Sequence, residues 1–213
     1  MKPTYKRIVR SRSSRNGIKP VLLVLHTTEG PGDALLGLAS YFDNIENQAS
    51  SHVANNHLGE SVRMVPDFEK AWTCSGYNSL TLNIEQMGFA SSNKAQWFKR
   101  CDKQLSNTAA WLAEWSVAYR IPLRKGRASS SFISVSRSGV VQHKDLGTVG
   151  GGHSDCGSGY PQRYVVRLAR LIVLEHHLGT PDSKEALRLR KRINRQRKRY
   201  GLHPFKSPAK ATR

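Results

Sequence analysis

Between His143 and Gly157 the chain reads HKDLGTVGGGHSDCG, with two histidines, two aspartates, a cysteine and five glycines in fifteen residues. Glycine at that density is costly inside a helix or strand, so the segment is a loop. A loop so rich in His, Asp and Cys has the composition of a metal-binding turn. It follows a short apolar run at Val140 and Val141, and a second ligand has to come from elsewhere in the chain. His26, which ends the apolar run VLLVLH, is the candidate. A lone histidine is ordinarily a surface residue or a satisfied core residue. Its pairing with His143 and the 153–156 cluster favours a metal, because glycine lets the backbone wrap closely around an ion.

The rest of the chain supplies a frame for that loop. Val21 to Leu25 is too short for a helix and reads as a strand buried on both faces, with His26 at its end. Asp33 is a candidate cap for a helix to about Asn44, with Leu35, Leu38, Ala39 and Phe42 on one side. SSHVANN and VRMVP flank a turn at Gly59, as in a hairpin, and Leu80–Met87 alternates as a strand that carries Glu85 in an apolar context. Helical spacing runs from Asn93 to Tyr119, with a break near Cys101, and again from Tyr164 to His177. The order is β–α–β–β–β–α–β–loop–α. It implies an α/β domain, a mixed central β-sheet flanked by α-helices.

Charge separates the ends from the middle. Of a net charge of +19, residues 1–20 carry +7 and residues 180–213 carry +10, so the centre is nearly neutral. The expected organisation is a basic N-terminal arm over 1–19, a catalytic domain over 20–179 and a basic, partly helical C-terminal tail over 180–213. Such ends attract polyanions: anionic wall polymers, anionic lipid or nucleic acid. No helix-turn-helix or RNA-binding signature supports the last. Three cysteines without a CxxC spacing exclude a disulfide framework. No apolar run reaches the roughly 20 residues of a membrane span, and the basic start lacks the apolar core of a signal peptide.

Taken together, VLLVLHTTEG, SSHVANN followed by LGES and RMVP, AWTCSGYNSLTLNIEQMG, and QHKDLG followed by HSDCGSGYP resemble the zinc-dependent N-acetylmuramoyl-L-alanine amidases. This is the amidase-2 family, shared with peptidoglycan-recognition proteins and phage endolysins. The resemblance spans about residues 18–178 and rests on four motifs in order. It implies Zn2+ held by His26, His143 and Asp155. The sequence departs from the family in having Cys156 where proline is usual, and a shift of one residue would make Cys156 the third ligand. His153 stands where many relatives carry a lysine that polarises the scissile carbonyl. Glu85 aligns with the glutamate that many bacterial relatives use as general base. His52, Trp72 and Asn78 are placed as substrate-binding or cleft-shaping residues. Ser51 occupies the place of a tyrosine found in some relatives.

The activity so implied is hydrolysis of the amide between N-acetylmuramic acid and L-alanine in peptidoglycan. The setting is an endolysin made in the host cytoplasm and acting at the bacterial wall. Two rivals remain at this stage: a non-catalytic peptidoglycan-binding module of the same fold, and a basic nucleic-acid-binding protein.

Overall fold

The computed structural model describes residues 1–205. Its strands are β1 (Tyr5–Lys6), β2 (Arg12–Ser14), β3 (Leu22–Thr27), β4 (Val53–Asn55), β5 (Ser61–Arg63), β6 (Glu69–Ala71), β7 (Thr81–Gln86), β8 (Arg127–Ala128), β9 (Val135–Arg137) and β10 (Gly139–Gln142). The helices are α1 (Leu35–Asp43), α2 (Lys94–Arg100), α3 (Asp102–Tyr119), α4 (Gln162–Ile172) and α5 (Lys184–Arg199). Six strands form the central sheet in the order β1-β5-β4-β7-β3-β10. Only β4 and β5 run antiparallel; the other neighbouring pairs are parallel.

Both faces of this sheet are covered, as the unbroken apolar run in β3 requires. Leu23 and Leu25 face the larger core, built with Trp97, Phe98, Leu112 and Leu168 from α2, α3 and α4. Leu22 and Val24 face the opposite layer with Tyr77, Val141 and Leu146. Because side chains alternate along a strand, His26 continues the Leu22–Val24 series and Glu85 continues Thr81 and Asn83. His143, the residue after β10, continues Val141. Period two therefore delivers all three polar groups to one face, at the carboxyl ends of adjacent parallel strands.

Several expectations are met nearly residue for residue. The break near Cys101 separates α2 from α3, and Asn93 caps α2 in a reciprocal box with Gln96. The hairpin forms between β4 and β5. Asp33, however, does not cap α1: Ala34 takes that position without a side-chain bond, and Asp33 pairs with His57. After α4 the helix widens into a π turn over Val173–His177.

The basic ends depart most from expectation. Residues 1–19 are woven into the domain. β1 pairs with β5, β2 pairs with β6, and Val9 is fully buried. Arg15 is buried with its guanidinium on the carbonyls of Asp67, Ser79 and Thr81. Nor is α5 polar on every side. Ala186, Leu189, Ile193 and Arg197 are buried at helical spacing against the main core. Arg197 Nη2 donates to Asp102 Oδ2 at 2.9 Å, tying α5 to the start of α3. A lysine- and arginine-rich composition hid a four-position seam. The Pro/Lys/Ala end of the tail lies outside the described residues.

Candidate active site

His26, Glu85, His143 and Asp155 converge at the carboxyl edge of the sheet. His26 and Glu85 are register partners on β3 and β7. Asp155 arrives from the loop, where its backbone carbonyl accepts from the Lys144 N–H at 2.8 Å and its Oδ2 accepts from the Thr27 N–H at 3.2 Å. Asp155 Oδ1 lies 3.1 Å from His143 Nδ1 and Oδ2 lies 3.5 Å from His26 Nδ1.

The two imidazoles are fixed from behind. His26 Nε2 faces Asn83 Oδ1 at 3.1 Å, and His143 Nε2 faces the Gly150 carbonyl at 2.9 Å. Both partners are acceptors, so each ring carries its proton on Nε2 and turns the Nδ1 lone pair toward Asp155. The amide of Asn83 is itself oriented. Its Nδ2 donates to Thr81 Oγ1 at 3.1 Å, while its Oδ1 also accepts from the Cys74 thiol at 3.1 Å. Burial, followed by the neighbouring His143, lowers the pKa of His26 and opposes a second proton on it. Two lone pairs and a carboxylate thus face one another with no proton of their own between them. That donor set fits a cation, and two nitrogens with one carboxylate oxygen is a set that suits zinc.

Two groups of ligand-type side chains have atoms mutually within 4.8 Å: His26, Cys74 and His143, and His143, His153 and Asp155. Cys74 approaches His26 at Nε2, at 3.7 Å, on the ring edge already turned to Asn83. Burial pushes its thiol well up, which disfavours the thiolate a metal needs. The Nδ1-facing arrangement around Asp155 is therefore the better coordination site. Cys156 is fully buried in the main core, with Gln86 Nε2 3.9 Å from its sulfur, and is turned away from that arrangement.

These groups open on a cleft of about 420 Å³ whose lining includes Glu85, His143, His153, Asp155, Trp72 and Asn78. Glu85 is nearly buried, and its Oε2 has no hydrogen-bond partner. Burial, then the charges of Asp155 and Glu29, push its carboxyl well above the usual range. His153 is exposed and stacks on His143 at a centroid distance of 4.2 Å. Trp72 is positioned by its Nε1–H on Ser13 Oγ at 2.9 Å. Asn78 Oδ1 accepts from the N–H groups of Thr73 and Cys74 and shapes the turn beneath the cleft.

His52 does not reach the cleft, contrary to its expected place in substrate binding. It is fully buried, accepts from the Asn83 N–H at Nδ1 and lies 3.1 Å from the Glu69 carbonyl at Nε2. It sits just before β4, behind the site, where it supports Asn83. Sequence reasoning passed over Asn83, Thr27 and Gly150. Asn83 was the legible one, since it lies two residues before Glu85 and so on the same strand face. The turn at Gly157 is held by contact: at φ +79 it passes so close to the 88–92 loop that an added Cβ would lie 1.9 Å from the Ala90 carbonyl oxygen.

A family model described as N-acetylmuramoyl-L-alanine amidase matches residues 16–158. No curated protein matches the chain in sequence. Among solved structures, the Staphylococcus aureus hydrolase AmiA, in complex with its ligand, superposes with a TM-score of 0.62 at 17% identity, covering 84% of this chain and 88% of that one. An AmpD derivative gives 0.57 at 18% identity, covering 79% and 95%. The amidase LysC from Clostridium intestinale gives 0.55 at 14% identity, covering 77% and 95%. At these identities the likeness is one of fold.

Proposed function

Because this chain belongs to the N-acetylmuramoyl-L-alanine amidase family, we propose that its cleft hydrolyses the muramoyl–alanine amide of peptidoglycan with Zn2+ held by His26 Nδ1, His143 Nδ1 and Asp155. The observation that carries this reading is the convergence of His26 Nδ1, His143 Nδ1 and the Asp155 carboxylate beside a carboxyl group, Glu85, that is buried yet lines the cleft. When bound in such a site, zinc lowers the pKa of water from 15.7 to about 7 and polarises a carbonyl oxygen.

The protein's own groups account for the rest. Glu85 takes a proton from the attacking water and returns it to the leaving nitrogen. Its raised affinity for protons suits that exchange, and its unpartnered Oε2 is the oxygen available for it. His153, stacked on His143, donates an N–H to the carbonyl oxygen as negative charge develops there. The water oxygen bonds to the carbonyl carbon and the C–N bond breaks. The products are a free lactyl carboxylate on the sugar and a free amine on L-alanine. Trp72 and Asn78 line the approach. Asn83 and Gly150 keep both imidazoles in the ligating tautomer, as outer partners do at metal sites.

The bacterial wall is the place of action, and wall lysis of the endolysin type is the proposed setting. Among the described residues no helix is long and apolar enough to cross a membrane. The outer face of α5 presents Arg188, Lys191, Arg192, Arg195, Lys198 and Arg199 to solvent. Arg163 and Arg192 both act on Arg167 as like charges, so the basic surface extends onto α4. No residue of α4 or α5 lines the cleft. We assign this surface to anionic polymers of the wall, held while the cleft works. The buried side of α5, with Ala186, Leu189 and Ile193, is used inside the core.

The test is incubation of purified peptidoglycan with the protein, with and without a chelator, followed by assay for new L-alanine N-termini. Their metal-dependent appearance is expected. Binding without new termini would establish the non-catalytic module instead.

A further inference from the structure

Lysine and arginine supply 34 of the 213 residues, yet among the described residues neither lines the cleft. The carboxyl groups that do are Glu29, Glu85 and Asp155. The last two are absorbed by the reaction, and Glu29 is not. It is exposed, and among the described residues no lysine, arginine or histidine forms an ion pair with it.

Its carboxyl is nonetheless held in place. Oε1 accepts from the Thr27 hydroxyl at 2.6 Å and from the Ala90 N–H at 2.8 Å. The backbone of Glu29 sits at φ +52, a conformation that non-glycine residues seldom adopt and that clusters at functional positions. Leu38, Tyr41 and Phe42 line the same cleft. A fixed anionic group beside an apolar wall, with no lysine or arginine among the described residues of the lining, describes a receptor for an ammonium carried on an aliphatic stem.

We propose that Glu29 is a specificity residue of the amidase cleft, receiving the side-chain ammonium of a diamino residue in the stem peptide and selecting peptides in which that amine is free. The inference rests on the amidase reading and deepens it. It also separates Glu29 from a purely structural role in fastening the 88–92 loop. Glutamine offers Thr27 and Ala90 the same acceptor but carries no charge.

The experiment compares two muramoyl tripeptides, one ending in L-lysine and one in Nε-acetyl-lysine. Both are measured as kcat/KM with the full chain and as Kd with chelator-treated protein. The wild type should favour the free amine about fivefold in both quantities, the size of a partly exposed ion pair, and less at high salt. Glu29→Gln should abolish the preference in both quantities and leave the acetylated peptide's Kd unchanged, while any change in turnover from the charge lost near Glu85 falls on both peptides alike. Equal wild-type values for the two peptides overturn the proposal without reference to any variant. A Gln variant that weakens the binding of both peptides equally overturns it in favour of the structural role. An amine preference in Kd with no hydrolysis of either peptide sinks the amidase reading and leaves the recognition standing.

Discussion

Glu85 and His26 are register partners on adjacent parallel strands, with Glu85 Oε1 3.9 Å from His26 Nδ1. The proposed base and a proposed ligand are thus set by the same backbone ladder, and their separation does not depend on a loop. Replacing Glu85 by Gln should leave that ladder and the metal content intact while lowering kcat by about 10²–10⁴-fold, the range for loss of a general acid–base. Elemental analysis alongside steady-state hydrolysis checks both parts. A near-wild-type rate would remove Glu85 from the mechanism.

The third ligand can be decided by stoichiometry. Asp155→Ala should lose bound zinc and activity together, whereas Cys156→Ser should retain the metal, since the Cys156 sulfur points into the core. Full zinc content in the Asp155 variant would reverse this assignment.

Asn83→Leu removes the acceptor that fixes the His26 tautomer. Loss of such an outer partner typically weakens metal affinity 10–100-fold. Competition with a chromophoric chelator reads this directly, without an assay of turnover.

Protonation of buried imidazoles should destabilise the metal-free protein as the pH falls, against the opposite contribution of the raised Glu85 carboxyl. His26 and His52 both have pKa values lowered from 6.5, the latter well below it, with burial the leading cause in each. The unfolded chain then binds more protons than the folded one below about pH 6.5, so stability falls as pH drops through that point. Each buried imidazole adds a slope of about 1.4 kcal/mol per pH unit. Urea titrations of the Glu85→Gln variant at pH 7.5, 6.5 and 5.5 measure it without that carboxyl; a flat profile would show that neither histidine is held neutral.

The C-terminal helix gives a fifth contrast. Charge-neutral substitution of Arg188, Lys191, Arg192 and Arg195 should leave folding and muropeptide hydrolysis near wild type and reduce wall attachment, most visibly at low salt. Truncation before Lys184 should instead expose the core around Leu168 and Ile172 and lower the melting temperature. An unaltered melting curve would show that α5 contributes nothing to stability.

What the sequence disclosed follows the reach of each signal. Period two in β3 and β7, and the apolar run before His26, are local patterns, and they located the sheet and three of its polar groups. The Gly-rich loop announced a ligand somewhere in its 153–156 cluster, and the family resemblance singled out Asp155 within it, with Cys156 as the alternative. The burial of Arg15 and Arg197 was not legible. Their partners are backbone carbonyls at Asp67, Ser79 and Thr81 for one and Asp102 for the other, far away in sequence, and charge counting reads such residues as solvated. His52 misled for a related reason: Ser50, two residues earlier, lines the cleft, but the His52 ring turns back onto the Asn83 N–H and the Glu69 carbonyl.

The amidase match ends at residue 158, whereas α5, beyond it, closes the core with one side and offers cations with the other. The proposed attachment surface and one side of the core therefore share the same sixteen residues, Lys184–Arg199. Anyone grafting this catalytic unit onto a different targeting module would have to keep α5 and recolour only its outer surface, because cutting at the family boundary would discard a wall of the enzyme along with its handle.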